Sequence, residues 1–173
     1  MVKKSLIMFI GLLFMSCFLS SQVALGNSNS TQIKNDEKVI YLTFDDGPSV
    51  MTDKVLDVLK ENDVKATFFI IGNQIKGQES VVKRINSEGH SIGLHTYTHK
   101  YKNIYSNRKG FIAEILKSQD EINSLIGIKP TIIRFPSGSC KHLTKAFLEQ
   151  LHSYNFTIYD WNVVVSEDRK SVV

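Results

Sequence analysis

The sequence predicts an α/β protein built on a parallel sheet, either open or closed into a barrel. Three observations carry that expectation. Apolar runs of strand length alternate with helical apolar patterns from Lys38 onward. The helical stretches are long enough to cross between parallel strands. Polar motifs recur just after the apolar runs, where α/β barrels build their sites.

The elements follow in chain order. Val39-Ile40-Tyr41-Leu42 reads as a first, buried strand. Val55, Leu56, Val58 and Leu59 recur at helical spacing. Ala66 to Ile71 is a second strand, stopped at Gly72. Val81, Val82 and Ile85 mark a helix that Gly89 ends. Ser91 to Leu94 is a third strand. Phe111, Ile112, Ile115, Ile122 and Ile126 mark a longer helix closed by Gly127. Thr131 to Ile133 is a fourth strand, Leu143, Phe147, Leu148 and Leu151 form a helix face, and Phe156 to Tyr159 is a fifth strand.

The chain has 173 residues, enough for one domain with a core. Its net charge of +4 is mild, and no glycine-rich phosphate loop or basic patch interleaved with aromatics points to nucleic acid. Residues 1–26 read as a signal peptide or a retained membrane anchor: Lys3 and Lys4 precede an uncharged apolar stretch, and Ala24-Leu25-Gly26 supplies small residues before a cleavage point. A lipoprotein reading of Cys17 is the weaker rival, because Phe14 and Met15 before it are bulky. Each reading places the domain outside the cytoplasm. Residues 27–37, rich in Ser and Asn, read as a linker. Once the segment holding Cys17 is removed, Cys140 has no partner for a disulfide.

Two motifs carry the chemistry. Thr43-Phe44-Asp45-Asp46-Gly47-Pro48 follows the first strand, and His95-Thr96-Tyr97-Thr98-His99 follows the third. Asp-Gly-Pro alone is turn chemistry. Two adjacent carboxylates at a strand end repel each other, however, and call for a cation. If Asp46 binds a metal, Asp45 stays free as a base. His95 and His99 share one face if the segment turns helical. One carboxylate and two imidazoles suit zinc, cobalt or another first-row divalent metal. Arg134, after the fourth strand, is placed to orient Asp45 and keep it ionised. The turn Pro136-Ser137-Gly138 can aim a backbone N–H at an oxyanion. Asp160-Trp161 follows the fifth strand with the chain's single tryptophan.

Taken together, these motifs resemble the polysaccharide deacetylases with a NodB-type domain, carbohydrate esterase family 4. The resemblance runs from about Val39 to about Asn162 and covers four of that family's five motifs. It implies a distorted (β/α) barrel, here incomplete at the C-terminus, with the catalytic domain over residues 38–167. It also implies a metal held by Asp46, His95 and His99, with Asp45 as general base. Arg134 would hold Asp45, the Ser137 N–H would face the oxyanion, and Pro136, Ser137 and Trp161 would border the substrate. Asp160 would tune a histidine that protonates the leaving amine. The implied partner is a cell-wall polysaccharide, most simply peptidoglycan N-acetylglucosamine, met by a monomer that touches membrane only through its N-terminal segment.

Two departures stand out. The family's fifth motif, Leu-x-His, is absent; His142 and His152 precede Asp160 and lie in a helical stretch without that motif. Ser137 stands where relatives often carry an aromatic or glycine. Residues 168–173 are expected to be an artefactual tail, since one set of codons for Asp168-Arg169-Lys170-Ser171-Val172-Val173 and a stop spells a common sequencing-library adapter.

Overall fold

The computed structural model describes residues 38–164. The expected signal or anchor (1–26), the linker (27–37) and the tail (168–173) lie outside the described residues.

Five strands form one parallel sheet in the order β1-β2-β3-β4-β5: β1 Thr43–Gly47, β2 Thr67–Ile70, β3 Ser91–Leu94, β4 Ile132–Ile133 and β5 Thr157–Ile158. Every neighbour in sequence is a neighbour in the sheet, and every pair is parallel. That singly wound order is the wall of a (β/α) barrel, open among the described residues between β1 and β5. The helices between the strands are α1 Val50–Glu61, α2 Glu79–Ser87, a short α3 Tyr101–Ile104, α4 Arg108–Ile126 and α5 Lys145–Ser153.

Local chemistry sets the helix ends. Ser49 caps α1 in a capping box with Thr52, so the turn after Gly47-Pro48 runs straight into the helix. Asn107 caps α4 through the Gly110 N–H at 2.8 Å, and Thr144 caps α5. Gly127 ends α4 at φ 74°, a left-handed position that suits glycine.

The core lies between the sheet and the helices. Phe68, Ile70, Ile92, Leu94 and Ile133 meet Leu56, Val82, Ile85, Ile115, Ile122 and Leu151, all but fully buried. Phe69 alternates to the other face of β2. There it lies so close to β3 that a Cβ on Gly93 would stand 2.4 Å from its ring, which only glycine permits.

One expectation about β1 is corrected. The first strand is Thr43–Gly47, not Val39–Leu42, and Val39, Ile40 and Tyr41 are exposed by 66, 84 and 85%. β1 is an edge strand. Of the apolar run, Leu42 alone joins the ladder's end, accepting the Thr67 N–H at 3.0 Å. An apolar run reports burial only where something covers it.

His90 shows what the interior costs. Its Nδ1 accepts the Ala66 N–H at 3.2 Å, and its Nε2 is buried without a partner, 3.9 Å from Glu88. Burial, then repulsion from Lys65, pushes the imidazole below its ordinary value; Glu88 pulls it up and Arg84 pushes it down. The unfolded chain therefore binds this proton more readily than the folded one. Stability from neutral His90 is complete above the ordinary value of about 6.5 and is lost as pH falls through and below it. Urea midpoints measured against pH are expected to fall over that range. His90→Asn, which keeps an acceptor for Ala66 without a titrating ring, should flatten that part of the profile.

Candidate metal centre and active site

The motifs converge at the C-terminal ends of the strands, and the backbone of each is bent to bring them together. β1 pairs Phe44 with Phe68 and Gly47 with Ile70, so β1 spends one residue more than β2 over the same span. That is a β-bulge, with Asp46 at φ 65°. The bulge suspends the strict alternation of side chains, so both carboxylates reach one site and meet different partners there. Asp45 turns to Arg134, whose Nη1 donates to it at 2.9 Å. Asp46 turns toward the histidines, with one carboxylate oxygen 3.4 Å from His95 Nε2 and 3.3 Å from His99 Nε2.

The histidine segment is not helical, contrary to the expectation drawn from its i, i+4 spacing. Residues 95–100 form a loop in which Thr96 and His99 take φ 67° and 54°. The two left-handed residues fold the loop back on itself and bring the imidazole centroids to 5.0 Å. The Thr96 hydroxyl accepts the His99 N–H at 3.2 Å and closes the turn. Of six non-glycine residues at positive φ among the described residues, four belong to this site: Asp46, Thr96, His99 and Ser137. Such conformations persist where the surroundings over-determine them, and they cluster at functional sites.

Donor atoms of Asp46, His95 and His99 all lie within 4.8 Å of one another. His95 Nδ1 sits 2.8 Å from the Arg134 carbonyl, which can only accept, so Nδ1 carries a proton and donates it there. With one proton on the ring, Nε2 is then a bare lone pair aimed at a carboxylate oxygen. Two acceptors in that position need a cation between them, and one oxygen with two imidazoles suits a first-row divalent metal. The residues present fit such an ion. When the imidazoles are protonated instead, a hydrogen bond from His95 holds the Asp46 carboxyl below its ordinary range; burial opposes this, and the charges of His95 and His99 add to it.

Arg134 is the hub of the other half. It is 3% exposed, and its guanidinium lies 4.1 Å over the Phe69 ring. It donates to Asp45, to the Thr43 hydroxyl at 2.6 Å, to the Tyr159 carbonyl at 3.0 Å and to the Asp160 carbonyl at 3.4 Å. One side chain thus ties β1 to the end of β5 across the concave face of the sheet.

The Pro136-Ser137-Gly138 turn stands beside it. Ser137 and Gly138 take φ 62° and 87°, and the Gly138 N–H returns to the Phe135 carbonyl at 2.9 Å. Among the described residues no acceptor takes the Ser137 N–H. Pro136 is anchored by the Tyr105 hydroxyl, which donates to its carbonyl at 2.6 Å, and the Ser137 and Tyr101 hydroxyls are hydrogen-bonded. Trp161 borders the turn: a Cβ on Gly138 would lie 3.6 Å from its ring.

Asp160 does something the sequence did not suggest. Its carboxylate accepts the Ser139 N–H at 3.1 Å and the Ser139 hydroxyl at 2.5 Å, bracing the turn from behind. Among the described residues no histidine is hydrogen-bonded to it. His142 instead stacks on Tyr105 at 3.6 Å, and His152 is exposed on α5.

Sequence reasoning passed over three supports. Ser139 and Tyr105 hold the turn. Gln74, with its amide nitrogen turned toward the first loop, donates to the Asp46 carbonyl at 2.9 Å and the Pro48 carbonyl at 3.1 Å. Nothing in local sequence pattern marks such residues, since each acts on a partner distant in the chain.

Four motifs at the C-terminal ends of parallel strands, closing on one carboxylate and two imidazoles, define a class of protein. The sequence profile of the family described as Polysaccharide deacetylase matches residues 32–158. The chain belongs to the polysaccharide deacetylase family. It is 39% identical over 128 residues to a peptidoglycan-N-acetylglucosamine deacetylase of Bacillus cereus, covering 74% of this chain and 46% of that one. It is 36% identical over 107 residues to a chitin deacetylase of Colletotrichum lindemuthianum, covering 59% and 43%. Among solved structures, a polysaccharide deacetylase of Bacillus cereus superposes with a TM-score of 0.69 at 40% identity, covering 73% of this chain and 61% of that one. The chain spans about half the length of the curated relatives it matches first, 45 and 46%.

Proposed function

We propose that this chain carries the metal-binding and water-activating part of a hydrolase that removes N-acetyl groups from amino sugars of an extracellular polysaccharide, with peptidoglycan N-acetylglucosamine as the first substrate. The observation that carries the reading is the division of labour between adjacent carboxylates. Asp46 faces His95 and His99, while Asp45 is held apart by Arg134 at 2.9 Å. Two carboxylates in different environments are assigned different tasks.

Asp46, His95 and His99 would hold zinc or another divalent metal, which when bound supplies Lewis-acid polarisation and a water of lowered pKa. The remaining work falls to the chain's own groups. Asp45 accepts the proton of the attacking water, and Arg134 keeps that carboxylate oriented. The Ser137 N–H donates to the oxyanion that develops on the acetyl carbonyl. Pro136, Ser137 and Trp161 border the acetyl group. Asp160 steadies the turn that carries the Ser137 N–H.

A second reading is favoured by Asp160, whose carboxylate is engaged by Ser139 with no histidine bonded to it among the described residues. In that reading the chain binds metal and sugar without turnover. The two are separated by measuring acetate release from N-acetylglucosamine polymers, with chelator and after zinc is returned. Release that stops with chelator and returns with zinc supports hydrolysis. Zinc binding without release supports the binding protein. Peptidoglycan, chitin oligomers, an exopolysaccharide and acetylated xylan, compared side by side, identify the polymer. The reading places the protein in the wall or on the outer face of the membrane.

A further inference from the structure

The histidine loop is held from α4. Glu114 Oε2 accepts the Tyr97 N–H at 3.0 Å and the Thr98 N–H at 2.6 Å, and the Thr98 hydroxyl donates to the same carboxylate at 3.0 Å. Lys117, one turn on, places its ammonium 3.8 Å over the Tyr97 ring. Ser118 packs against Gly72, where a Cβ would stand 2.6 Å from Tyr97 and 2.9 Å from the Ser118 hydroxyl. Glu114, Lys117 and Ser118 fall on one face of the helix at i, i+3 and i+4. From the other side, the Gly72 and Asn73 N–H groups donate to the Thr96 and Tyr97 carbonyls at 3.0 and 2.9 Å.

The loop between the two histidines is therefore clamped on both its donors and its acceptors. The Gly72 and Asn73 side is backbone and exists wherever β2 folds. The Glu114 side depends on a single side chain. Among the described residues Glu114 has no ion pair, so its charge is committed to the loop. Bonds from a carboxylate to backbone N–H groups are of the stronger, charge-assisted kind. They fix the peptides on either side of Tyr97, the Thr98 hydroxyl ties the next residue to the same carboxylate, and together they set where the chain delivers His99. His95 has its own anchor in the Arg134 carbonyl; among the described residues the His99 ring has no hydrogen-bond or ion-pair partner except Asp46.

We propose that Glu114 is a positioning residue for the metal centre. By accepting the Tyr97 and Thr98 N–H groups it holds the left-handed turn that brings His99 to within reach of Asp46 and His95. The inference rests on the reading of Asp46, His95 and His99 as metal ligands.

The test is zinc affinity of the full chain, measured by competition with a chromophoric chelator, with the visible spectrum of the cobalt-loaded chain as a second readout. His95→Ala serves as the ligand-deficient reference. Glu114→Ala is expected to lower zinc affinity by about 10- to 100-fold, as loss of an outer-sphere partner does. Glu114→Gln keeps an oxygen that can take both N–H groups and should hold the affinity and the cobalt spectrum. Glu114→Asp keeps the charge but is one methylene too short to reach, and should behave like alanine. Glutamine weak and aspartate tight would mean the charge acts at a distance, and the clamp is wrong. Unchanged affinity in all three also overturns it. Should the alanine variant fail to fold, the glutamine and aspartate pair decides alone. No zinc binding by the unmodified chain refutes the ligand assignment instead, and is told apart by its equality with His95→Ala.

Discussion

Asp45→Asn is expected to lower acetate release by about 10²- to 10⁴-fold, the span over which a positioned general base acts. Zinc affinity should be unchanged. Asparagine preserves the size of the side chain and still offers an oxygen to Arg134 Nη1, which stands 2.9 Å from Asp45. What it lacks is a site for the proton taken from water. Asp46→Asn, in contrast, should lose zinc and turnover together, because that oxygen faces both imidazoles at 3.3 and 3.4 Å. Rate and affinity read in parallel therefore separate the roles of adjacent residues. Equal effects of the two substitutions on zinc binding would contradict the assignment.

Arg134→Met is expected to destabilise the fold by about 2–4 kcal/mol, seen as a fall in urea midpoint at constant slope. The guanidinium is nearly sealed from water and satisfies four separate acceptors on β1 and after β5. Methionine can fill part of the space over Phe69, but it leaves the Thr43 hydroxyl and two carbonyls without their donor. Asp45 remains about a third exposed, at 29%, so water offsets some of its lost partner. Arginine here is not replaceable by lysine: a point ammonium cannot reach both edges of the sheet at once. Arg134→Lys should recover only part of the loss, and full recovery would show that charge alone suffices.

Much of this molecule was legible in its sequence. The positions of β2 to β5 and of the longer helices follow from apolar periodicity, because each is covered on at least one face by the core. The site was legible because polar motifs sat after the apolar runs. Two errors have physical causes. Val39–Leu42 has the composition of a buried strand but sits at an open edge, exposed. The spacing of His95 and His99 suits a helix, yet a carboxylate on α4 and two N–H groups after β2 hold that segment in a left-handed turn. Both depend on parts of the chain far away in sequence, which local pattern cannot report. The contact of Asp160 with Ser139, on the preceding strand's loop, was likewise not announced by anything in Asp160-Trp161.

The extra residue in β1 has a consequence for how this protein can change. Along a regular strand, side chains alternate between faces, so parity decides which residue sees which partner. The bulge between Phe44 and Gly47 suspends that alternation, so neighbouring aspartates that a regular strand would send to opposite faces both reach one site, each with its own partner. Removing one residue there would restore even pairing, but it would take one of the two aspartates with it and carry the other out of its seat. Length at this point is thus as much a part of the chemistry as composition. Among drifting copies of this gene, substitutions at Phe44 should be survivable more often than any insertion or deletion between Thr43 and Gly47.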